Sequence, residues 1–520
     1  MNPEIPPPIP KSPLRMVLWI IGLLLLAGVA VPVTFWAIGY FQWKKLEGEL
    51  RAKGEKLSML EMAPPAIPDA ENFFSDPVWE ELSDLVSEKK GGILQPRLKE
   101  GERQLDHLNP PLSRDEQQRL KAKYPEVVWA AGFERRSAVV LTAWNKKPEN
   151  ASPAELRRVA EFIEEVLSPA APLFTMMKSL SKHPQARYPL RYDLNVAMPM
   201  PHVSYLLQYG QMLSMKARAE IALGQNDKAF ADVGLIFYLA DTMKDDPMLV
   251  PFLVRVSMAA MGIDVIAMGL KSHAWDEGAL REFEHHLASL HFMEDLPKAL
   301  RGERGSFYAM INELRKNKNA GQVIAGMTPA EDGKSPSKAG RALFGVMFDL
   351  FGYYDQATYG RLTQEWIERL DAAGTRGVPA EPEVKGELET LRRPPVKMMF
   401  HFFTMIMLPA QVVCEAKAAE IQDRVGMGRI ACALELYWLK NHGYPKGLTS
   451  LGPELLPDIP RDVVDLQPFK YQLRSPQEYL LYSRGIDHRD DGGEPAYSSG
   501  PGDWVWGKIG KKKTAPATSE

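Results

Sequence analysis

The longest run of apolar positions in the chain extends from Met16 to Phe41 and contains no charged residue. About 20 helical residues are enough to cross the hydrocarbon core of a bilayer. Trp19 lies near one end of the run and Trp36 near the other, and such rings are enriched where a membrane meets water. The pattern predicts a transmembrane helix over residues 16–41, preceded by a proline-rich tail at residues 1–15.

A cleaved signal peptide is the alternative interpretation of this run, with Gly28-Val29-Ala30 as its small-residue cleavage site. The apolar run continues for another turn or more beyond Ala30, which favours an uncleaved single-pass anchor. Lys and Arg are commoner just after the run than before it, which by itself would keep the bulk of the chain cytoplasmic. Large domains translocate regardless of flanking charge, so the membrane orientation stays open.

The chain beyond the anchor divides at proline- and glycine-rich segments. Residues 42–68 predict a stalk and linker, because a charged helical pattern there runs into a pair of prolines. Residues 69–327 predict an α-helical bundle, and residues 328–395 predict linkers around an aromatic helix. Residues 396–506 predict a long helix with a small sheet, and a basic disordered tail follows at residues 507–520.

Local signals mark individual helices of the bundle. Ser113-x-x-Glu116 and Ser152-x-x-Glu155 have the spacing of capping boxes, in which a hydroxyl and a carboxylate satisfy free N–H groups at a helix start. A stripe at three- and four-residue spacing follows the second box and predicts a buried helix face. It consists of Leu156, Val159, Phe162, Ile163, Val166 and Leu167.

A helical hairpin is predicted at residues 203–243, with its turn at Gly224. Small residues on both sides of the turn, Ala219 and Ala229, would let the two helices approach closely. The turn is similar to that of a tetratricopeptide hairpin, but a solenoid needs about three or more repeats and only one such unit is found. Residues 251–270 are strongly apolar yet contain two charged residues, and we interpret them as a core helix instead of a second membrane span.

Strand signals are concentrated near the C-terminus. Phe469, Tyr471 and Leu473 alternate with polar neighbours, as a half-buried strand requires. A turn at residues 475–477 leads into a second apolar segment, and residues 504–506 supply a third strand. The chain therefore predicts a mainly α fold, with a transmembrane helix, a helical bundle and a small C-terminal α+β module containing a three-stranded antiparallel sheet.

The order of motifs in residues 425–506 is similar to the globular part of a type II secretion major pseudopilin. In that family a long helix ends in an Asn-x-Gly-x-Tyr-Pro break, and a short connector leads to a small sheet with a late calcium loop. The segments that resemble this order are Asn441-His-Gly-Tyr-Pro445, Leu448-Thr-Ser-Leu-Gly-Pro-Glu-Leu-Leu-Pro457, Ile459-Pro-Arg-Asp462, Phe469-Lys-Tyr471 and Tyr479-Leu-Leu-Tyr-Ser-Arg-Gly-Ile-Asp487.

The resemblance implies a calcium site in the acidic loop after the second strand. Asp487 and Asp503 match the family's positions best, and Asp490 and Asp491 lie between them. Hard oxygen ligands separated by flexible glycines suit calcium. A solvated acidic turn is the alternative, because Asp and Gly are common in loops for conformational reasons alone.

The sequence also departs from the pseudopilin pattern. The anchor at Met16 lacks the Gly-Phe-Thr-Leu-Ile-Glu type of processing motif that heads the membrane helix in that family. Processing and assembly into a pseudopilus therefore do not carry over. The module is predicted to be attached to an unrelated membrane-anchored helical body.

Composition excludes several classes of function. The chain has 63 Lys and Arg against 66 Asp and Glu, a net charge of −3, which gives no electrostatic footprint for nucleic acid. Two cysteines, Cys414 and Cys432, are too few for a disulfide framework or a zinc site. Phosphate-binding, dinucleotide-binding and nucleophile-elbow motifs are absent from the sequence.

These observations predict a non-enzymatic, single-pass scaffold protein that binds protein partners in the bacterial cell envelope. The resemblance implies an inner-membrane location with the bulk of the chain extracytoplasmic. Two alternatives stay open: an envelope enzyme of hydrolase-like chemistry, with a site assembled in the helical body, and a component of a type II secretion or pilus-like assembly. The last would need exposed apolar residues on the helix around Leu434 to Leu439.

Overall fold

The computed structural model describes residues 13–79, 88–90, 93–95, 109–128, 135–147, 151–316, 337–372, 377–378, 383–392, 400–495 and 502–507. The protein is mainly helical, at 70% helix, and has a small three-stranded antiparallel sheet near the C-terminus. The mainly α fold with this sheet, as predicted from the sequence, is confirmed. Most of the predicted proline-rich tail and of the basic C-terminal tail lies outside the described residues.

In chain order, the helices are α1 (Pro13–Ala52), α2 (Met59–Met62), α3 (Arg114–Lys123), α4 (Arg136–Asn145), α5 (Pro153–Leu167), α6 (Ala171–Leu180), α7 (Pro201–Ala222), α8 (Asn226–Asp241), α9 (Leu249–Lys271), α10 (Glu277–Ala288), α11 (Phe292–Lys316), α12 (Lys338–Asp371), α13 (Glu383–Arg392), α14 (Phe402–Asn441) and α15 (Gly452–Leu455). The strands are β1 (Glu88–Lys90), β2 (Ile93–Gln95), β3 (Lys470–Ser475), β4 (Glu478–Ser483) and β5 (Trp504–Val505).

The chain divides into two compact units. The first consists of Met1–Leu57, Phe307–Glu365 and Val384–Pro409. The second consists of Ser58–Ser306, Trp366–Glu383 and Ala410–Glu520. Each unit is therefore built from segments that are far apart in the sequence, and long helices such as α12 and α14 contribute to both.

Within the first unit, α1 and α12 approach each other closely. A Cβ atom at Gly39 would lie 2.9 Å from the backbone nitrogen of Tyr354, so a larger residue would push the two helices apart. Phe35 packs edge-on against Phe351, with 5.6 Å between the ring centroids. The C-terminal half of α1 thus has one face covered by protein.

The start of α14 is held by Asp355 of α12, also within the first unit. The Asp355 carboxylate accepts hydrogen bonds from the backbone N–H groups of Phe403 at 2.6 Å and Thr404 at 3.0 Å. The Thr404 hydroxyl donates a further bond to it at 2.5 Å. These contacts satisfy N–H groups that the first turn of a helix leaves without partners.

Several described apolar side chains of α1 between Val17 and Val33 are not covered by the protein. Val17 is 50% exposed, Trp19 75%, Val31 52% and Val33 57%. The helix continues past the apolar run to Ala52. In this later part Lys44 forms an ion pair with Glu47, one turn further along the helix, at 2.7 Å. The segment predicted as the start of a stalk is therefore a continuation of the same helix.

The second unit contains the helical bundle, in which α7 packs against α4, α5, α8 and α9. The helix predicted after Ser152 is α5, and both capping-box bonds of Ser152 and Glu155 are present. The hairpin is confirmed as α7 and α8, and Ala219 and Ala229 are fully buried between the helices. Gly224 occupies the turn with a φ of 75°, a conformation that glycine adopts without strain.

Two described helices, α9 and α14, are long and apolar enough to cross a membrane. In α9, 61% of the most apolar window is buried inside the protein. Arg255 of this helix is 4% exposed and its guanidinium pairs with Asp241 at 3.0 Å and with Asp295. A buried, internally neutralised cation fits the sequence interpretation of this segment as a core helix.

The long helix predicted within residues 396–506 is present as α14, which contains Pro409. Two other segments differ from the sequence expectations. Residues 383–392 form a helix where a linker was predicted, because Leu388 and Leu391 share one face and Leu388 is buried. A two-stranded hairpin, β1 with β2, lies in the region predicted to be helical throughout.

The C-terminal sheet has the order β3–β4–β5, and all neighbours are antiparallel. The predicted turn at residues 475–477 connects β3 and β4, and β4 is the central strand. Phe469, immediately before β3, lies against α14, where a Cβ at Gly426 would be 2.9 Å from its ring. The sheet therefore packs on the long helix through an aromatic ring over a glycine.

Candidate functional site

The break after α14 fixes the sheet to the helix that precedes it. His442 has a φ of 55°, which ends the helix, and the backbone N–H of Tyr444 donates to the Pro476 carbonyl at 2.9 Å. The Tyr444 hydroxyl donates to the buried Glu435 carboxylate at 3.0 Å. The Tyr471 hydroxyl donates to the Pro445 carbonyl at 2.6 Å. The break is thus tied by hydrogen bonds to both the helix and the hairpin.

The carboxylates of the acidic loop after β4 have different environments: some accept hydrogen bonds in local turns, and one is buried. Asp487 accepts a hydrogen bond from the backbone N–H of Arg489 at 3.1 Å, a turn within the loop itself. Asp490 accepts from the Tyr482 hydroxyl at 2.9 Å and from the Gly492 N–H at 3.1 Å. The bond from Tyr482 lowers the pKa of Asp490.

Asp503 is the buried member of the acidic set. It is fully buried, and its Oδ2 accepts a hydrogen bond from the backbone N–H of Gly493 at 2.7 Å. Its Oδ1 has no hydrogen-bond partner among the residues that the structure describes. Burial raises the pKa of Asp503, hydrogen bonds from the backbone N–H groups of Gly493 and Asp491 oppose this rise, and the charges of Asp490 and Asp491 add to it. A buried carboxylate oxygen without a partner is costly and is well suited to bind a cation.

The structure therefore brings three of the four predicted ligands into electrostatic contact, Asp490, Asp491 and Asp503. Asp487 is occupied by its own turn. Within the described part of the chain, no group of three or more His, Cys, Asp or Glu side chains is arranged to hold a metal ion. Calcium would have to take backbone or water oxygens besides Asp503, and oxygen ligands of these kinds are common in calcium sites.

A second group of buried carboxyls connects α14 to the sheet, and no local sequence pattern marks it. Asp423 accepts hydrogen bonds from the Val463 backbone N–H and the Ser483 hydroxyl, both at 2.8 Å. Burial raises the pKa of Asp423 well above its usual range, and the charge of Asp462 adds to the shift. Asp423 therefore joins the helix, the connector and the central strand through hydrogen bonds that its side chain accepts.

A third group lies in the bundle, between α5, α7 and α8. Lys216 pairs with Glu220 on its own helix and with Asp232 of α8 at 2.8 Å. Burial raises the pKa of Glu220 to about 8, and the charge of Asp232 adds to this shift. Burial likewise raises the pKa of Glu164, whose Oε1 has no hydrogen-bond partner among the described residues. Only the Lys216–Glu220 spacing could have been noticed in the sequence, because the other two carboxyls come from neighbouring helices.

This bundle cluster predicts a pH-dependent stability. Because the pKa of Glu220 rises from 4.5 to about 8 on folding, the folded protein binds more protons than the unfolded chain between these values. The free energy of unfolding should therefore fall as the pH rises through this window. We expect Glu220→Gln to reduce the decline by at least ~1 kcal/mol in urea titrations. Glu161→Gln, on the more exposed side of α5, is the control. If the free energy of unfolding declined equally with pH in both variants, Glu220 would not be the group responsible.

Comparison with known proteins finds no matching family model, curated protein or solved structure. The likeness of residues 425–506 to a major pseudopilin therefore stays a prediction.

Proposed function

We propose that this protein is a single-pass, membrane-anchored scaffold of the bacterial cell envelope, without enzymatic activity, whose helical body binds protein partners. The observation that carries the proposal is the set of uncovered apolar side chains on α1, in which Val17, Trp19, Val31 and Val33 are each at least half exposed. Transfer of an aliphatic or aromatic side chain of this kind out of water is worth about 1.5–3 kcal/mol. A lipid bilayer supplies that environment over the length of the run.

The C-terminal module supports an envelope location within this proposal. Its element order is a long helix, a break at Asn441 to Pro445, a short connector and a three-stranded sheet with an acidic loop. This is the order on which the pseudopilin resemblance depends. We infer an inner-membrane protein with its bulk on the outer side, where calcium is plentiful.

Protease protection tests this topology with the full chain. In intact bacterial spheroplasts, we expect added protease to degrade the bulk of the protein and to leave only a short anchor fragment. Detergent lysis should then cause no further loss. A chain that resists protease until the membrane is dissolved would place the bulk in the cytoplasm and contradict the proposed location.

Calcium binding by the acidic loop is a separate part of the proposal. We expect the full chain in mild detergent to bind calcium in calorimetry, with Asp503→Asn weakening binding about tenfold or more because the buried ligand loses its charge. Asp458→Asn is the matched control, since Asp458 is an exposed carboxylate of the same module. Equal calcium affinity in the two variants, or none in the wild type, would reduce the loop to an acidic turn.

An assembly component of the secretion or pilus-like kind is less well supported. That function needs exposed apolar residues around Leu434 to Leu439. Leu434 and Leu436 are 0% and 2% exposed, and Leu439 is 36% exposed. The helix therefore presents a single exposed leucine there instead of a stripe.

An enzyme with a site in the bundle is the second candidate, favoured by one observation. Perturbed carboxyl groups beside a lysine are typical of catalytic sites, and Glu220 with Lys216 has this character. Glu220 is only 1% exposed, so a substrate would have to reach a buried group. Hydrolysis of a panel of chromogenic esters that disappears in Glu220→Gln but not in Glu161→Gln would favour this candidate over the scaffold.

A further inference from the structure

A cavity of about 440 Å³ lies within the first unit, between α1, the end of α11 and α12. Pro32, Val33 and Leu350 form its apolar wall. Trp36 and Tyr353 add aromatic rings, whose centroids are 6.0 Å apart and which meet edge to face. The volume falls within the range of about 300–1,000 Å³ that is usual for small-ligand pockets.

Arg315 lines this cavity as a cation without a carboxylate partner among the described residues. Its guanidinium lies over the Tyr353 ring, 3.4 Å from the centroid, and Nη1 donates to the Gln356 side chain at 2.8 Å. Nη2 is buried and has no hydrogen-bond partner in the described part of the chain. Burial lowers the pKa of Arg315 to about 10, and the neighbouring Tyr353 hydroxyl offsets only part of this shift. An anionic ligand would supply the missing partner.

Asp349 lines the same cavity with the opposite charge. Its side chain is exposed, and no ion pair joins it to Arg315 among the described residues. The cavity thus holds a cation and an anion apart from each other. A free phosphate ion would gain from Arg315 but would be repelled by Asp349. A ligand that has both an anionic and a cationic group satisfies both side chains.

We propose that this cavity binds the headgroup of a zwitterionic phospholipid that carries a primary ammonium. Arg315 contacts the phosphate, and Asp349 accepts hydrogen bonds from the ammonium. The face of Trp36 that is not stacked on Tyr40 flanks the cationic end, since aromatic rings attract cations, while the Tyr353 ring holds the Arg315 guanidinium. Val33 and Leu350 continue as an apolar surface for the start of the acyl chains. The site rests on the proposed membrane anchoring, because Val33 and Trp36 belong to the end of the apolar run of α1.

The position of the cavity favours a lipid over a soluble zwitterion. Trp36 stacks on Tyr40 with ring centroids 5.3 Å apart, and Tyr353 meets Tyr40 at the same distance. Clusters of Trp and Tyr at the end of an apolar helix are typical of the headgroup level of a membrane. The cavity therefore lies at the depth of the lipid headgroups in the bilayer.

The test uses the full chain, delipidated in a non-ionic detergent and titrated with short-chain phospholipids in calorimetry. We expect saturable binding of dihexanoyl phosphatidylethanolamine, weaker binding of the choline and glycerol headgroups, and no competition by inorganic phosphate. Arg315→Gln should lower the affinity for all three lipids about tenfold or more, since a charged hydrogen bond is lost. Asp349→Asn should weaken the ethanolamine lipid most, to the level of phosphatidylglycerol, because its ammonium loses both the charge and the hydrogen-bond acceptor. Glu313→Gln, on the exposed side of α11, should match the wild type.

Several results would overturn the proposal. They are an unchanged ethanolamine affinity in Asp349→Asn, equal affinity for all headgroups, and full competition by inorganic phosphate, which would indicate an anion site instead. Because Asp349 is exposed, its variant decides the matter even where Arg315→Gln fails to fold. Alkaline extraction of the same variants separates the two proposals. A variant that stays in the membrane but loses lipid affinity bears on the cavity alone, whereas a wild-type chain released by alkali contradicts the anchor.

Discussion

Replacing Gly302 by alanine should strongly destabilise the second unit, although it adds only one methyl group. A Cβ atom at this position of α11 would lie 1.4 Å from the carbonyl oxygen of Pro247 and 2.5 Å from its carbonyl carbon. The obstacle is backbone, so no side-chain rotation can relieve it. Overpacking of this kind costs at least the ~3 kcal/mol at the upper end of the usual range.

The turn around Pro247 cannot move away cheaply. Asp246 accepts a hydrogen bond from the Tyr192 hydroxyl at 3.5 Å and lies 3.3 Å from Nε2 of the buried His202. Glu303, next to Gly302, accepts the backbone N–H of Leu249 at 3.2 Å and so holds the start of α9 against α11. Displacing the turn would therefore break contacts on both sides of it.

Thermal unfolding of the full chain in mild detergent measures this effect. We expect the midpoint for Gly302→Ala to fall by about 5 °C or more. Gly234→Ala is the matched control, since Gly234 lies in the exposed face of α8 with nothing within 4 Å of its Cβ position. That substitution should stabilise the helix by about 0.5–1 kcal/mol. A Gly302→Ala protein as stable as the wild type would show that the close approach of α11 to the Pro247 turn is wrong.

The helices and strands that the sequence predicted correctly are those with local physical signals. The capping box at Ser152 and the stripe after it depend on residues within one or two turns of each other. The same is true of the hairpin turn at Gly224 and of the alternation that predicts β3. Short-range signals of this kind do not depend on what the element later packs against.

The elements that the sequence mispredicted depend on tertiary contacts. The polar composition of residues 383–392 argues locally against a helix. In the structure Leu388 of this segment is buried. Packing against residues distant in sequence therefore outweighs the local preference there.

The residues of the candidate site could be predicted from the sequence, but which of them are buried and which form turns could not. The four aspartates of the acidic loop are visible in the sequence. In the structure Asp487 closes a local turn, whereas Asp503 is buried with one oxygen unpaired among the described residues. This difference depends on how β5 pairs with β4. The buried Asp423 and the Lys216 cluster had no local signal for the same reason, since their partners are contributed by other elements.

A pair of arginines in α1 should release the protein from the membrane. Ile21 and Val31 are 46% and 52% exposed, so arginine at either position meets no steric obstacle within the protein. An arginine at the centre of a transmembrane helix costs about 2.5–3.5 kcal/mol and less towards its ends. Val31 lies near the centre of the run and Ile21 nearer its start, so together the two arginines offset part of the gain from inserting it. The double variant Ile21→Arg, Val31→Arg is therefore expected to lose its anchor while the second unit stays folded.

The control for this variant uses an equally exposed apolar residue outside α1. Val128 in the second unit is 52% exposed, the same fraction as Val31. Val128→Arg adds the same charge and removes the same side chain, so it reports any general effect on solubility or aggregation. Only a membrane role for α1 distinguishes the two positions.

The most direct measurement of the central claim is alkaline carbonate extraction of membranes that contain the full chain. We expect the wild type and Val128→Arg to stay in the membrane pellet and the double arginine variant to appear in the supernatant. Release of the wild type by carbonate, or retention of the double variant in the pellet, would contradict the claim that α1 anchors this protein in a bilayer.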